Sequence, residues 1–215
     1  MKYLLEVDTL QNLLIFTQRG QYFLLPVHQI PEFKWKDNGT AIVNVIPLAK
    51  EDRIVSVIPV KSFDENPELS LVFVTKNGQV KRTELKEYET KRSGAVAACK
   101  VGDGDEVLSV TVSRNNQEIL LLTKQGMAIR FAEDEVNPMG RVSAGVRGIN
   151  LKDDDEVVAA LWVEGEEGEV LVVSDLAYAK PSLLLDYPVQ SRGGKGVQTF
   201  EFKEGKRVKP NGSRL

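Results

Sequence analysis

The chain holds one cysteine, Cys99, and one histidine, His28. A single cysteine excludes any disulfide within the chain and leaves the redox compartment open. A zinc site built from Cys and His ligands lacks the partners it needs. A Ser-His-Asp arrangement has only His28 to draw on, and "LLPVHQIPEF" carries no nucleophile motif. His28 therefore reads as a loop residue, and Cys99, in "AVAACKV", as a small buried hydrophobe. Long apolar runs are also missing. "ILLL" and "VLVV" fall far short of a bilayer span, and "MKYLLEVDTL" brings in Glu6 and Asp8 where a signal peptide stays apolar. The expected setting is cytoplasmic, without a membrane partner. No sign of charge dominates: 28 Lys and Arg face 31 Asp and Glu, a net charge of −3. Any attraction to a polyanion must then come from a local basic face.

What is present is ordinary globular material, 42% hydrophobic and 27% charged, enough for a core and too balanced for a disordered chain. With 215 residues it makes one large domain or an array of small units.

Self-comparison favours the array. "LLIFTQRGQYFLL" at 13–25, "LVFVTKNGQVKRT" at 71–83, "ILLLTKQGMAIRF" at 119–131 and "VLVVSDLAYAKPS" at 170–182 align. Each is an apolar run, then Thr17, Thr75, Thr123 or Ser174, a two-residue polar turn, and a second strand-like run. Gly20, Gly78 and Gly126 mark three of the turns, and Asn77-Gly78 suits a type I′ hairpin. The fourth turn, Leu176-Ala177, is degenerate.

After each hairpin and a loop comes a second element, "NGTAIVNVI", "SGAVAACKV", "AGVRGINL" or "KGVQTFEF", led by Gly39, Gly94, Gly145 or Gly196. Three of these run through an acidic turn into another apolar strand. The period is about fifty residues, that of radially repeated four-stranded blades. The predicted units are approximately 1–50, 51–102, 103–152 and 153–203. Each contains an acidic-turn strand, two hairpin strands and a post-glycine strand. Leu71–Val74 and Ile119–Leu122 should be covered on both faces, and Gln79–Thr83 should be half exposed. The best helical candidate is the short Thr83–Thr90. The pieces near Leu4–Val7 and Val208 either close a ring or are the cut ends of a longer array. One such unit buries too little alone, so the fold expected is all-β, with units stacked as a propeller or related array.

Charge follows the repeat. Acids gather before the first strand of a unit: Glu51 and Asp52; Asp103, Asp105 and Glu106; Asp153 to Glu156. "GDGDE" and "KDDDE" lack the spaced ligands of a calcium loop, and tight turns favour Asp and Gly for backbone reasons. Bases gather around the hairpin and the loop after it: Arg19, Lys34 and Lys36; Lys76, Lys81, Arg82, Lys86, Lys91 and Arg92; Lys124, Arg130, Arg141 and Arg147; Lys180, Arg192 and Lys195. In a radial array the repeated basic position makes a stripe, with the acidic turns elsewhere. The plain alternative is that mixed charges only solubilise strand surfaces. No catalytic, metal or cofactor site emerges.

One stretch stands out within this pattern: "QSRGGKG", Gln190, Ser191, Arg192, Gly193, Gly194, Lys195 and Gly196. It is similar to the gyrase-A box, Gln-Arg-Arg-Gly-Gly-Lys-Gly, with Ser191 in place of the first arginine. "VFVTKNGQVKRTELKEYETKRSGAVA" and "TKQGMAIRFAEDEVNPMGRVSAGVRGINL" resemble successive blades of the C-terminal domain of bacterial type IIA topoisomerase A subunits. The resemblance spans nearly the whole chain.

It implies a β-pinwheel, a propeller-like ring of four-stranded antiparallel blades that exchange strands. It also implies a non-catalytic domain that binds and bends double-stranded DNA on a basic outer rim. Its partners would be the rest of the A subunit, together with the B subunit, in a bacterial, nucleoid-associated setting. The family's catalytic tyrosine and magnesium-binding residues lie in other domains, and none of the tyrosines here sits in a matching motif. The family's full box normally falls early in the gyrase domain. Ser191, and a box in the last repeat, point to topoisomerase IV rather than gyrase. An early part that best matches the family's second blade, and a chain that stops before the next blade is complete, point to a fragment of a longer protein, with a natural short domain as the alternative. The expected DNA contacts are Arg192 and Lys195 first, then Lys81, Arg82, Lys91, Arg92, Arg130, Arg141 and Arg147. The competing reading is a propeller-type protein-interaction module. The chain lacks the signatures of WD40 blades, and Trp162 is followed by Val163.

Overall fold

The computed structural model describes residues 4–64, 66, 68–113, 115–173 and 178–200, together with the backbone of 208–209 and 213–214. The strands, in chain order, are β1 (Asn12–Thr17), β2 (Gln21–Pro26), β3 (Ile54–Val60), β4 (Ser70–Thr75), β5 (Gln79–Glu84), β6 (Val96–Ala97), β7 (Val107–Ser113) and β8 (Glu118–Thr123). They continue as β9 (Met127–Ala132), β10 (Val146–Arg147), β11 (Val157–Val163), β12 (Glu169–Val173), β13 (Ala179–Leu183), β14 (Val197–Gln198), β15 (Val208–Lys209) and β16 (Ser213–Arg214).

All-β architecture and antiparallel blades are as expected. Three four-stranded sheets run in the orders β3-β1-β2-β6, β7-β4-β5-β10 and β11-β8-β9-β14, and β12 pairs with β13 as a fourth hairpin. The grouping of strands differs from the predicted units. The acidic-turn strand joins the hairpin before it, and the post-glycine strand comes from beyond the next hairpin. Each four-stranded sheet is thereby closed by a strand from beyond the next hairpin, which ties the array together. The inner strands β3, β7 and β11 lie side by side, and the backbone N–H of Val110 donates to Ser56 Oγ at 3.0 Å.

Several local expectations change. Thr83–Thr90 forms no α-helix; Leu85–Tyr88 is a single 3₁₀ turn that buries Leu85 and Tyr88. "NGTAIVNVI" is not a strand. An outer strand pairs with the hairpin of the repeat before it, as β6 does with β2. Instead Ile42–Asn44 makes a 3₁₀ turn, and Val45, Ile46 and Leu48 pack on Leu13, Ile15, Phe23 and Leu25. Registers also show that Ala95, not Gly94, is the counterpart of Gly145 and Gly196, because Val96, Val146 and Val197 face the equivalent Tyr22, Val80 and Ala128. Leu4–Val7 forms no strand, β15 pairs with β16, and the turn Leu176-Ala177 lies outside the described residues.

The repeated Thr closes each of the first three hairpins. Thr17, Thr75 and Thr123 Oγ1 accept from the backbone N–H of Gln21, Gln79 and Met127 at 3.4, 3.1 and 3.2 Å. The turn glycines then carry the joint between blades: Gly20 O accepts from Ala98 and Cys99, Gly78 O from Gly148, and Gly126 O from Thr199 and Phe200. A Cβ on Gly126, where φ is +80°, would lie 2.4 Å from Phe200 O.

Strand alternation feeds two cores at once. On β4, Leu71 and Phe73 face the first sheet, while Val72 and Val74 face the third, and all four are buried. Between the first two sheets, Phe16, Tyr22, Phe73 and Tyr88 form an aromatic cluster. Phe16–Phe73 and Tyr22–Tyr88 meet edge-on at 5.4 and 5.2 Å, a favoured geometry for aromatic pairs. Tyr22 and Tyr88 hydroxyls donate to the carbonyls of Tyr88 and Ala98, and burial raises the pKa of both. Cys99 joins this core, its thiol pushed up to about 11 by burial.

Candidate nucleic-acid interface

A base can hold phosphate only if its charge reaches solvent and is not already satisfied. The hairpin-turn bases fail the second condition. Arg19 pairs with Glu51 at 3.3 Å, Lys76 with Glu106 at 2.6 Å and Lys124 with Glu156 at 3.2 Å. The hydrogen bond to Glu106 raises the pKa of Lys76. The acidic turns therefore do not lie apart from all the bases; they sit against the hairpin turns. Asp105 and Asp155 Oδ1 accept from the backbone N–H of Asn77 and Gln125, both at 2.9 Å. These aspartates hold turn to turn, and among the described residues no three acids gather around a cation.

The nine predicted contacts separate by environment. Lys81 and Arg130 are interior, 2% and 3% exposed, which removes them from any direct phosphate contact in this structure. The half-exposed alternation expected of β5 fails at Lys81, while Gln79 and Arg82 stay half-buried and Glu84 exposed. Lys81 Nζ donates to Ala98 O at 2.8 Å and to Arg141 O, and lies 5.0 Å from the centroid of Phe73. Burial lowers its pKa to about 8. Arg130 Nε donates to Glu118 Oε2 at 2.6 Å, and its guanidinium also reaches the carbonyls of Leu184, Tyr187 and Gly165. Arg82 occupies the equivalent place one blade earlier. It is half-buried, donates to Asn115 Oδ1 at 2.7 Å, and has Nε 3.9 Å from the fully buried Glu133.

Arg141 and Arg192 form a second equivalent pair. Backbone N–H groups of the two donate to Glu87 and Glu135, at 3.1 and 3.0 Å. Their guanidinium groups donate to the carbonyls of Ala97 on β6 and Arg147 on β10. Both arginines are half-buried, and each pins its loop to the outer strand of an adjacent sheet. The box-like loop is stitched further by Gly193 N–H to Gly148 O and Asn150 N–H to Gly194 O. Its glycines answer to packing: Gly196 has φ +73°, and a Cβ there would lie 2.1 Å from Ala128 O. Ser191 is exposed, and Gln190 N–H donates to Arg130 O.

Four of the nine remain exposed, Lys91, Arg92, Arg147 and Lys195, and among the described residues none of them is in an ion pair. Lys91 and Arg92 lead into β6, Arg147 lies on β10, and Lys195 stands two residues before β14. They stand on, or in the loops that lead into, the outer strands of three consecutive sheets. Residue patterning missed Glu87 and Glu135, which shape these loops. Both lie in the 3₁₀ turn that ends the second hairpin strand, a repeated signal hidden among many surface acids. His28 is exposed in a comparable turn.

The family model for the DNA gyrase C-terminal domain, beta-propeller, matches residues 11–61, 70–114, 117–162 and 168–208. The A subunit of DNA topoisomerase 4 from Bacillus subtilis is 40% identical over 92% of the chain, and the A subunit of DNA gyrase from Salmonella typhimurium 36% over 94%. The chain spans 24% and 23% of those two proteins. A crystal structure of the C-terminal domain of DNA topoisomerase IV superposes with a TM-score of 0.90 at 33% identity, covering 99% of this chain and 64% of that one. A gyrase A C-terminal domain structure, at 24% identity, shares the fold with a TM-score of 0.72 over 97% of this chain and 64% of that one. Among the described residues no helix is long and apolar enough to cross a membrane.

Proposed function

The chain belongs to the DNA gyrase C-terminal domain family, and from that premise we propose that its outer edge binds and bends duplex DNA through the phosphate backbone. The observation that carries the reading is the exposure of Lys91, Arg92, Arg147 and Lys195 on, or in the loops that lead into, the outer strands of three consecutive sheets, while the hairpin-turn bases are neutralised by acids. Bending a site of about 20–30 bp costs on the order of 1–6 kcal/mol, more than one loop offsets and within reach of several. The described residues include no α-helix to enter the major groove, so contacts go to backbone rather than base edges.

The domain acts as an accessory part of the A subunit of a type IIA topoisomerase. It positions or wraps the DNA segment that the remaining A-subunit domains, with the B subunit, pass through a break. Titrating a labelled duplex of about 40 bp across a salt series tests this. Affinity should fall steeply with salt, with a log–log slope of about −0.9 per phosphate contact. Absence of binding at low salt rejects the reading.

A further inference from the structure

One exposed feature is not used by the row of cations. "FKWKD" places Trp35 between Lys34 and Lys36, and Trp35 is 89% exposed. Tryptophan is on average among the well-buried residues, so an indole this bare needs a reason. Its presentation is built. Asp37 N–H donates to Lys34 O at 2.9 Å, and Lys34 N–H donates to Asp37 Oδ2 at 3.0 Å. These two bonds close a four-residue turn with Trp35 and Lys36 at its tip. Lys36 Nζ lies 4.8 Å from the indole centroid, over one ring face, which leaves the other for a planar ligand. Neither lysine is in an ion pair among the described residues. The segment runs from the 3₁₀ turn after β2, the same topological place from which the box-like loop runs after β13.

A flat aromatic ring flanked by two cations matches a ligand that offers stacked planar groups beside anions. That is the chemistry of nucleic acid: bases stack on aromatic rings while lysines hold the adjoining phosphates. We propose that Trp35 is a wedge for duplex DNA, stacking on a base at a step opened by bending, with Lys34 and Lys36 on the flanking phosphates. This rests on the DNA reading of the outer edge. It adds a contact of a different kind, one that favours deformable steps and exacts local unstacking in return for a tighter bend.

The test uses the chain as it stands, with Trp35→Ala, Trp35→Phe and Lys34→Ala/Lys36→Ala. Binding of a duplex of about 40 bp is followed by anisotropy of labelled DNA, and indole fluorescence is read separately. Trp35→Ala should leave melting unchanged, since the side chain is solvent-facing. It should weaken binding about tenfold with the salt slope preserved, and Trp35→Phe should recover most of that loss. The lysine pair should instead flatten the slope by about 0.9 per residue removed. Bound DNA should quench the wild-type indole well beyond the residual change in Trp35→Phe, which reports Trp162 alone. If DNA binds but Trp35→Ala stays within twofold and the indole is not quenched, the wedge is rejected and the cationic edge stands. If wild type binds no DNA at low salt, both readings fall. An indole that brightens and shifts blue on vesicles of anionic phospholipid, and ignores DNA, rejects the wedge in favour of a membrane contact.

Discussion

Nη1 of Arg192 donates to the carbonyl oxygen of Arg147 at 3.1 Å, across 45 residues of sequence. The same guanidinium reaches Glu135 O through Nε at 3.0 Å. The most conspicuous cation of the box-like loop thus fastens the loop to a neighbouring blade, while Lys195, three residues on, is exposed. Arg192→Ala should lower stability by about 1.5–3 kcal/mol, the range for hydrogen bonds to a charged group. Lys195→Ala should leave unfolding unchanged and weaken DNA binding. Thermal melts and salt-series titrations on both variants check this division. Equal melts with equal loss of affinity would refute it.

Lys81 should show a pH signature. Burial holds its amine at about 8 instead of the ordinary 10.5. Below pH 8 both folded and unfolded chains carry the charge, and the full cost of burying it is present. Between pH 8 and 10.5 the folded chain has released the proton while the unfolded chain keeps it, so stability rises with pH. Cys99, raised from 9.0 to about 11, acts in the opposite sense above pH 9. The window from pH 8 to 9 is therefore the clean one. There, wild type should gain stability relative to Lys81→Met, and carbon NMR should show one lysine titrating near 8. All lysines titrating above 10 would contradict it.

Arg130 anchors the fourth hairpin. Its guanidinium ties Glu118 to the carbonyls of Leu184 and Tyr187. Arg130→Met should cost about 3 kcal/mol or more, since removing one partner of a buried ion pair strands the other. Denaturant midpoints measure this, with Glu118→Gln expected to be milder because the amide oxygen still accepts from Arg130, which keeps its bonds to the carbonyls of Leu184 and Tyr187.

Gly196 is fixed by two constraints at once, a φ of +73° and a Cβ position 2.1 Å from Ala128 O. Gly196→Ala should destabilise by more than about 1 kcal/mol and detach β14 from β9. Amide exchange at Val197 and Gln198 reports the detachment.

Period and patterning made most of the fold legible. Apolar runs such as Leu71–Val74 marked the strands buried on both faces, and Thr75 with Asn77-Gly78 marked a hairpin. Which sheet each strand joins was not legible. Pairing of β6 with β2 spans a whole repeat, and nothing local in "GAVAA" names its partner. The site was legible in part for a related reason. Lys81 and Lys91 look alike as letters in a basic segment, yet one lies on an interior strand and the other in a loop that leads into an outer strand. Burial of Lys81 follows from the exchange, which brings the carbonyls of Ala98 and Arg141 to its amine. Trp35 stayed inconspicuous because a lone aromatic in a long connection usually signals packing.

The most direct test of the account compares two sets of basic residues in one DNA salt series. One variant reverses the exposed set, Lys91→Glu, Arg92→Glu, Arg147→Glu and Lys195→Glu. The other replaces the interior Lys81 with Met. The exposed-set variant should stay folded, bind far more weakly and lose about 0.9 of log–log slope for each phosphate contact removed. Lys81→Met should keep the wild-type slope. An exposed-set variant that binds like wild type, or a Lys81 variant that loses slope while folded, would contradict the assignment of DNA contact to the outer edge.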